Sequence, residues 1–175
     1  MNSESKHLVL LRHAQAEHGA LRDVDRTLTI DGRHHAHIAG ERLVAAMGVP
    51  DLVLCSTAVR TRQTWQLAAA GMGEISEPEV RYLEELYGAD VTELLDVLRA
   101  VPESVTHLLV VGHEPVTSAV AHLLAGPGSE DAALHRVRTG ISTAMAAVLA
   151  HEGPWSDLGP RSSVLTHLVS GREGG

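Results

Sequence analysis

Aromatic residues are nearly missing from this chain: two Trp, two Tyr and no Phe in 175 residues. Without rings there is no stacking platform of the kind that single-stranded nucleic-acid binders use. The core must instead be aliphatic, built from Leu, Val and Ala. Basic residues are also few. Fourteen Lys and Arg stand against 22 Asp and Glu, a net charge of −8 with histidines neutral. That balance argues against a general binder of nucleic acid or of an anionic membrane. Any anion site must be a local basic pocket on an acidic protein, although twelve histidines would lift the charge as pH falls. A single cysteine, Cys55, excludes an internal disulfide framework. No signal peptide or apolar run of spanning length is visible, so the cytoplasm is the expected location.

What is present has the size and polarity of one soluble domain spanning residues 1–175, with 1–6 and 171–175 expected to be disordered. Leu8-Val9-Leu10-Leu11 reads as a short strand buried on both faces. A polar loop, Gln15 to Arg26, leads to a helix over Arg33–Met47, capped by Thr29 or Asp31, with Ile38, Leu43, Val44 and Met47 as its apolar stripe. Asp51–Cys55 is a second strand, followed by a helix over Ala58–Ala70. Glu79–Leu83 reads as a brief edge strand and Val91–Ala100 as an amphipathic helix. Thr106–Val111 is a third buried strand, and Pro115 opens a helix ending near Leu124. Ser129–Gly140 reads as a loop, and Ala144–Ala150 and Ser163–Val169 as two closing strands. The alternation predicts a three-layer α/β/α sandwich, with a mainly parallel central sheet and helices on both faces.

In such sheets ligands bind beyond the carboxyl ends of the strands. Three strand ends present Arg12-His13, Ser56 through Arg60, and His113 on one expected rim. Arg60, Gln63 and Thr64 share a face of the second helix near its amino end, where free N–H groups already favour anions. Two arginines and two histidines suit a tetrahedral dianion. A neutral imidazole can attack phosphorus, and guanidinium groups can hold the equatorial oxygens as charge develops. No cofactor or metal is required if arginines supply the positive charge. His34 and His37 share a helix face, but no cysteine pair or HExxH spacing offers a third ligand, and a solvated face is the expectation.

These residues carry a resemblance. LVLLRHAQA resembles the RHG-type signature of the histidine phosphatase superfamily, with Ala14 where Gly is common. CSTAVRTRQT resembles its second motif, in the frame Ser56, Arg60, Gln63, Thr64, and VVGHEP resembles its third. RTLTIDGRHHA resembles a segment of the small SixA-type phosphohistidine phosphatases. The matches run in the family's order over residues 8 to about 126. The resemblance implies a phosphoglycerate mutase-like fold, His13 as nucleophile, Arg12 and Arg60 as phosphate clamps, and His113 as a further donor to the phosphate. Glu84, in EELYG, fits the position of the proton donor in the mutase-like branch, with Glu85 as the fallback; SixA-type members can lack this acid.

The implied activity is hydrolysis through a phosphohistidine intermediate, on a phosphorylated protein or on a small phosphorylated metabolite. A cysteine phosphatase would need a Cys-x5-Arg loop, and Cys55 to Arg60 leaves only four residues between. A non-catalytic phosphate-binding module would be favoured if the nucleophile position were lost, and His13 is present.

Overall fold

The computed structural model describes residues 4–174. Six strands form one sheet: β1 (Lys6–Arg12), β2 (Leu52–Ser56), β3 (Glu79–Leu83), β4 (His107–Gly112), β5 (Met145–His151) and β6 (Ser163–Ser170). Their order across the sheet is β3-β2-β4-β1-β5-β6. The pairs β3-β2, β2-β4 and β4-β1 are parallel, while β5 runs antiparallel to both its neighbours. Helices α1 (Ile30–Met47) and α2 (Val59–Gly71) cover one face. Helices α3 (Val91–Arg99), α4 (Val116–Leu124) and α5 (Asp131–Thr139) cover the other. The chain is thus the α/β/α sandwich that its element order predicts.

Alternation along the strands separates two cores. Leu8, Leu10, Leu52, Leu54, Leu108 and Val110 pack with Leu94, Leu98, Val120 and Leu124, together with Trp155, whose indole N–H donates to the Val105 carbonyl at 2.9 Å. Val9, Leu11, Val53, Cys55, Leu109 and Val111 pack with Leu43, Met47 and Trp65. The α1 side is built largely from small residues. Its buried positions are Gly32, Ala36, Ala39, Gly40, Leu43 and Met47, whereas Ile38 and Val44, expected in the stripe, are only half-buried. The reason is close helix contact: a Cβ on Gly40 would lie 1.9 Å from the Ala68 carbonyl oxygen, and one on Gly71 2.0 Å from that of His37. Thr29 is the N-cap, its hydroxyl accepting from the Gly32 N–H at 2.9 Å.

Two further expectations need correction. The stretch read as a loop at Ser129–Gly140 contains α5, whose first N–H groups, on Ala132 and Ala133, donate to the Glu130 carboxylate. The expected disorder also reaches too far inward, to Lys6 and Gly171, which the fold holds. Lys6 begins β1 and pairs with Glu103, while the Gly171 N–H donates to the Ala144 carbonyl at 2.8 Å and its Cα packs on α1. The rest of the expected disorder at Met1–Ser3 and Gly175 lies outside the described residues. Among the described residues no helix is long and apolar enough to cross a membrane.

Candidate active site

Register brings the site together. Arg12 of β1 stands opposite Gly112 of β4, so the next residue along each strand, His13 and His113, leaves the sheet at the same level. Their ring centroids lie 5.5 Å apart. Cys55 of β2 stands opposite Val111, which puts Ser56 beside the same rim, and Arg60 enters from the first turn of α2. Arg12, His13, Arg60 and His113 line one cavity of about 610 Å3, together with Asp23, Arg26, Tyr87 and Glu114. The four residues singled out from the sequence therefore converge.

The hydrogen bonds fix the imidazole of His13. Its Nδ1 lies 2.7 Å from the Ala14 carbonyl oxygen. A carbonyl only accepts, so Nδ1 carries the proton and Nε2 keeps a free lone pair. Burial, with smaller effects from Arg60, Arg12 and Arg26, outweighs the Ala14 hydrogen bond and pushes the pKa down to about 4, so the ring is neutral at pH 7. The backbone beneath it is held by α2: the Ala14 N–H donates to Thr64 Oγ1 at 3.0 Å, and that hydroxyl donates to the Arg60 carbonyl at 2.7 Å. Gln63 Oε1 accepts from the Leu28 N–H at 2.8 Å and pins the end of the polar loop.

His113 is set by Ser56. Ser56 Oγ accepts from the Ala58 N–H at 3.3 Å and lies 2.8 Å from His113 Nε2. The hydroxyl keeps a second lone pair as well as its own proton, so it pairs with either tautomer and fixes the orientation of the ring. Burial first, then Arg60, lowers the His113 pKa to about 3. Its Nδ1, Arg12 Nε and Arg60 Nε are all buried without a protein partner. Buried donors are rarely left so. The three residues that carry these nitrogens line one cavity beside a neutral nucleophile, a set that suits a multiply charged oxyanion.

The guanidinium groups are fixed from behind. Arg12 Nη1 donates to the Ile141 carbonyl at 2.8 Å. The peptide of Ile141 is anchored in turn by its N–H, which donates to Glu114 Oε2 at 3.2 Å. Arg60 donates through Nη1 to the Asp23 carbonyl at 2.9 Å and through Nη2 to Asp23 Oδ2 at 3.0 Å. The same Oδ2 accepts from the Tyr87 hydroxyl at 2.6 Å, and Oδ1 accepts from Arg26 at 3.2 Å. The Tyr87 hydrogen bond, then those of Arg26 and Arg60, hold the Asp23 carboxyl down to about 2. Sequence reasoning missed Asp23, Tyr87 and Glu114 as site residues.

Glu84 and Glu85 fall elsewhere. Both sit in a 3-10 turn, Glu84–Leu86, that buries Leu86 and exposes the two acids. Neither lines the cavity; Tyr87, the next residue, does. Glu85 instead borders a shallow groove with Arg81 and Asp96. Cys55 is buried, and burial pushes its thiol up to about 12, which leaves no thiolate for nucleophilic attack. The His34 and His37 side chains are solvent-exposed, and among the described residues no three His, Cys, Asp or Glu side chains group as a metal site.

Comparison with known proteins agrees with this geometry. The model of the histidine phosphatase superfamily (branch 1) matches residues 8–94. The uncharacterized protein Rv1276c of Mycobacterium tuberculosis is 41% identical over 157 residues, covering 89% of this chain and 96% of the relative. Among solved structures, a candidate phosphohistidine phosphatase SixA from Nakamurella multipartitia superposes with a TM-score of 0.81 at 37% identity, covering 94% of this chain and 95% of that one. A second candidate SixA, from Agrobacterium tumefaciens, gives 0.77 at 29% identity, covering 94% and 97%.

Proposed function

The chain belongs to the histidine phosphatase superfamily, and from that premise we propose that it hydrolyses protein phosphohistidine through a phosphorylated His13. The observation that carries this reading is the His13 ring, neutral and held by Ala14 in the tautomer that leaves Nε2 free. In the first step the Nε2 lone pair attacks phosphorus, the substrate's P–N bond breaks, and the pair leaves with the substrate imidazole. Arg12, Arg60 and His113 donate to the phosphoryl oxygens as charge builds on them. In the second step water attacks, the P–Nε2 bond breaks, and the water's protons leave with inorganic phosphate.

The leaving group follows from the acids available. Among the described residues the carboxylates lining the cavity are Asp23 and Glu114. Asp23, held at about 2, has no proton to give at pH 7, and both Glu114 oxygens accept from the backbone or from Ser118. An alkoxide leaving group needs a proton delivered as the bond breaks. A phosphorylated imidazole can already be protonated on its other nitrogen and departs neutral. A small phosphate ester is the second reading, favoured by the cavity's volume of about 610 Å3, which falls in the range of small-molecule sites.

Quenching turnover of a phosphohistidine substrate should trap an acid-labile phosphoryl group on the peptide containing His13, and His13→Ala should abolish both label and activity. Label elsewhere, or an active His13→Ala protein, overturns the mechanism. Because the nucleophile works deprotonated and its pKa lies at about 4, kcat/KM should rise with pH through about 4 and stay level from about 6 to 8. A limb near the ordinary histidine value of about 6.5 would contradict a buried neutral ring.

A further inference from the structure

A second cluster of basic side chains lies at the other end of α4. A groove of about 940 Å3 between the end of α4, α5 and the loop before β6 is lined by His122, His135, Arg138 and Arg161, with Asp131 as the one carboxylate on its wall. All four basic side chains are exposed, and among the described residues none of them finds a hydrogen-bond or ion-pair partner. Most arginines here behave otherwise: Arg136, two residues before Arg138 on α5, is tied to the Gly140 carbonyl and Ser142. Arg161 is also held in a costly conformation, with φ +59°. Its N–H donates to the Leu123 carbonyl at 2.8 Å, and its own carbonyl packs on Gly126, where a Cβ would lie 2.2 Å away. The backbone is locked from both sides while the charged end faces the groove.

Between this groove and the catalytic cavity lies a third depression. A trough of about 520 Å3 along the α4–α5 ridge, with Val91, Pro115, Ala119 and Val137 among its walls, shares Leu123 and Arg138 with the basic groove and Glu114 with the cavity. The three depressions adjoin through these shared residues: a phosphate site, a mostly apolar stretch, then the basic groove. The cavity has room for a phosphohistidine side chain but not for the protein that carries it, so a protein substrate must be recognised outside it.

We propose that the α4–α5 track docks the phosphoprotein: a segment flanking the phosphohistidine crosses the trough and sets Asp or Glu side chains against Arg138 and Arg161. The inference rests on the reading of the cavity as a protein phosphohistidine site. Charge complementarity names the occupant, since Arg138 and Arg161 meet in one groove on a protein that is otherwise acidic. The distance names the spacing. The nine residues of α4 span about 13 Å at 1.5 Å per residue. An extended segment covers that in about four residues, so the acidic residues belong about four to seven positions from the phosphohistidine.

The test uses two phosphohistidine peptides, one with Glu at about positions four to seven on either side and one with Gln there. Phosphoimidazole serves as a substrate too small to reach the track. Wild type should favour the Glu peptide about fivefold in kcat/KM, the size expected of two exposed ion pairs, and about 0.3 M salt should erase the preference. The double variant Arg138→Glu/Arg161→Glu should lose or reverse that preference while turning over phosphoimidazole at the wild-type rate. Equal turnover of both peptides by wild type, or a Glu preference that survives in the variant, overturns the proposal. If phosphoimidazole is not hydrolysed at all, the reading of the cavity fails by itself. Anisotropy of the labelled, unphosphorylated Glu peptide, weaker on the variant if the track is real and unchanged if it is not, then decides docking separately.

Discussion

The catalytic cavity and the α4–α5 groove both gather arginines on an acidic protein, and they treat them in opposite ways. Arg60 is 6% exposed and gripped through both terminal nitrogens by Asp23, and Arg12 is half-buried and tied to Ile141. Arg138 and Arg161 stand in water with no partner among the described residues. A cation fixed in a dry wall meets developing charge without reorganising, and such a contact contributes about 3 kcal/mol to a transition state. An exposed cation contributes about 1 kcal/mol or less, and salt screens it. The first kind suits chemistry and the second suits partner choice.

The sharpest way to break that comparison is to remove one arginine of each kind. Arg60→Ala, and separately Arg12→Ala, should lower kcat/KM by about 10² to 10³, mostly in kcat. Arg138→Ala should change phosphoimidazole turnover by less than about twofold. Chelation should leave wild-type activity intact, because the guanidinium groups carry the charge a metal would otherwise supply. A mild Arg60→Ala variant, or activity lost to EDTA and restored by zinc or magnesium, would mean the charge comes from elsewhere.

Asp23 sits between the two regimes, since its side chain is about half exposed yet it grips a buried arginine. It orients Arg60 and also offsets its charge. Asp23→Asn should therefore lower kcat about tenfold through looser aim while phosphate inhibits the product complex more strongly. A purely structural ion pair would give neither the split between kcat and inhibition nor recovery by Asp23→Glu. Unchanged phosphate inhibition would reduce Asp23 to a surface contact.

How much of this was legible depends on the range over which the information is stored. β1, β2 and β4 announce themselves locally, as apolar runs ending in polar residues, and His13, Arg60 and His113 follow those ends at short fixed offsets. The Asp23–Arg60–Tyr87 cluster joins residues 37 and 64 positions apart, and no local pattern marks such partners. Helix α5 was missed because its buried face is only Ala133 and Val137, too little apolar surface to make a visible period. The α1 stripe was misjudged for a related reason: helices that approach through Gly40 and Gly71 bury small residues and leave the larger ones at the margin. The glutamates show the opposite failure, where a sequence frame was present but the turn at Glu84–Leu86 sends Tyr87 to the cavity and the acids to solvent.

The smallest expected effect concerns those glutamates, and it separates the two substrate readings. If an exposed charge outside the cavity contributes little to the chemistry, Glu84→Gln and Glu85→Gln should each leave phosphohistidine turnover within about tenfold of wild type, below the usual general-acid contribution of about 10² or more. The same logic bears on the wild-type enzyme. Asp23 has no proton to give and both Glu114 oxygens already accept hydrogen bonds, so a strongly basic alkoxide finds no carboxyl donor here and phosphoimidazole should be preferred over a sugar phosphate by a large factor in kcat/KM. An aryl ester, whose leaving group is a weaker base, should fall between them. That order, imidazole over aryl over alkyl, tracks the leaving group's need for a proton rather than its size. A drop of several hundredfold in Glu84→Gln, or a wild-type preference for the alkyl ester, would require a loop movement that carries Glu84 to the cavity, and would make the protein an ester phosphatase.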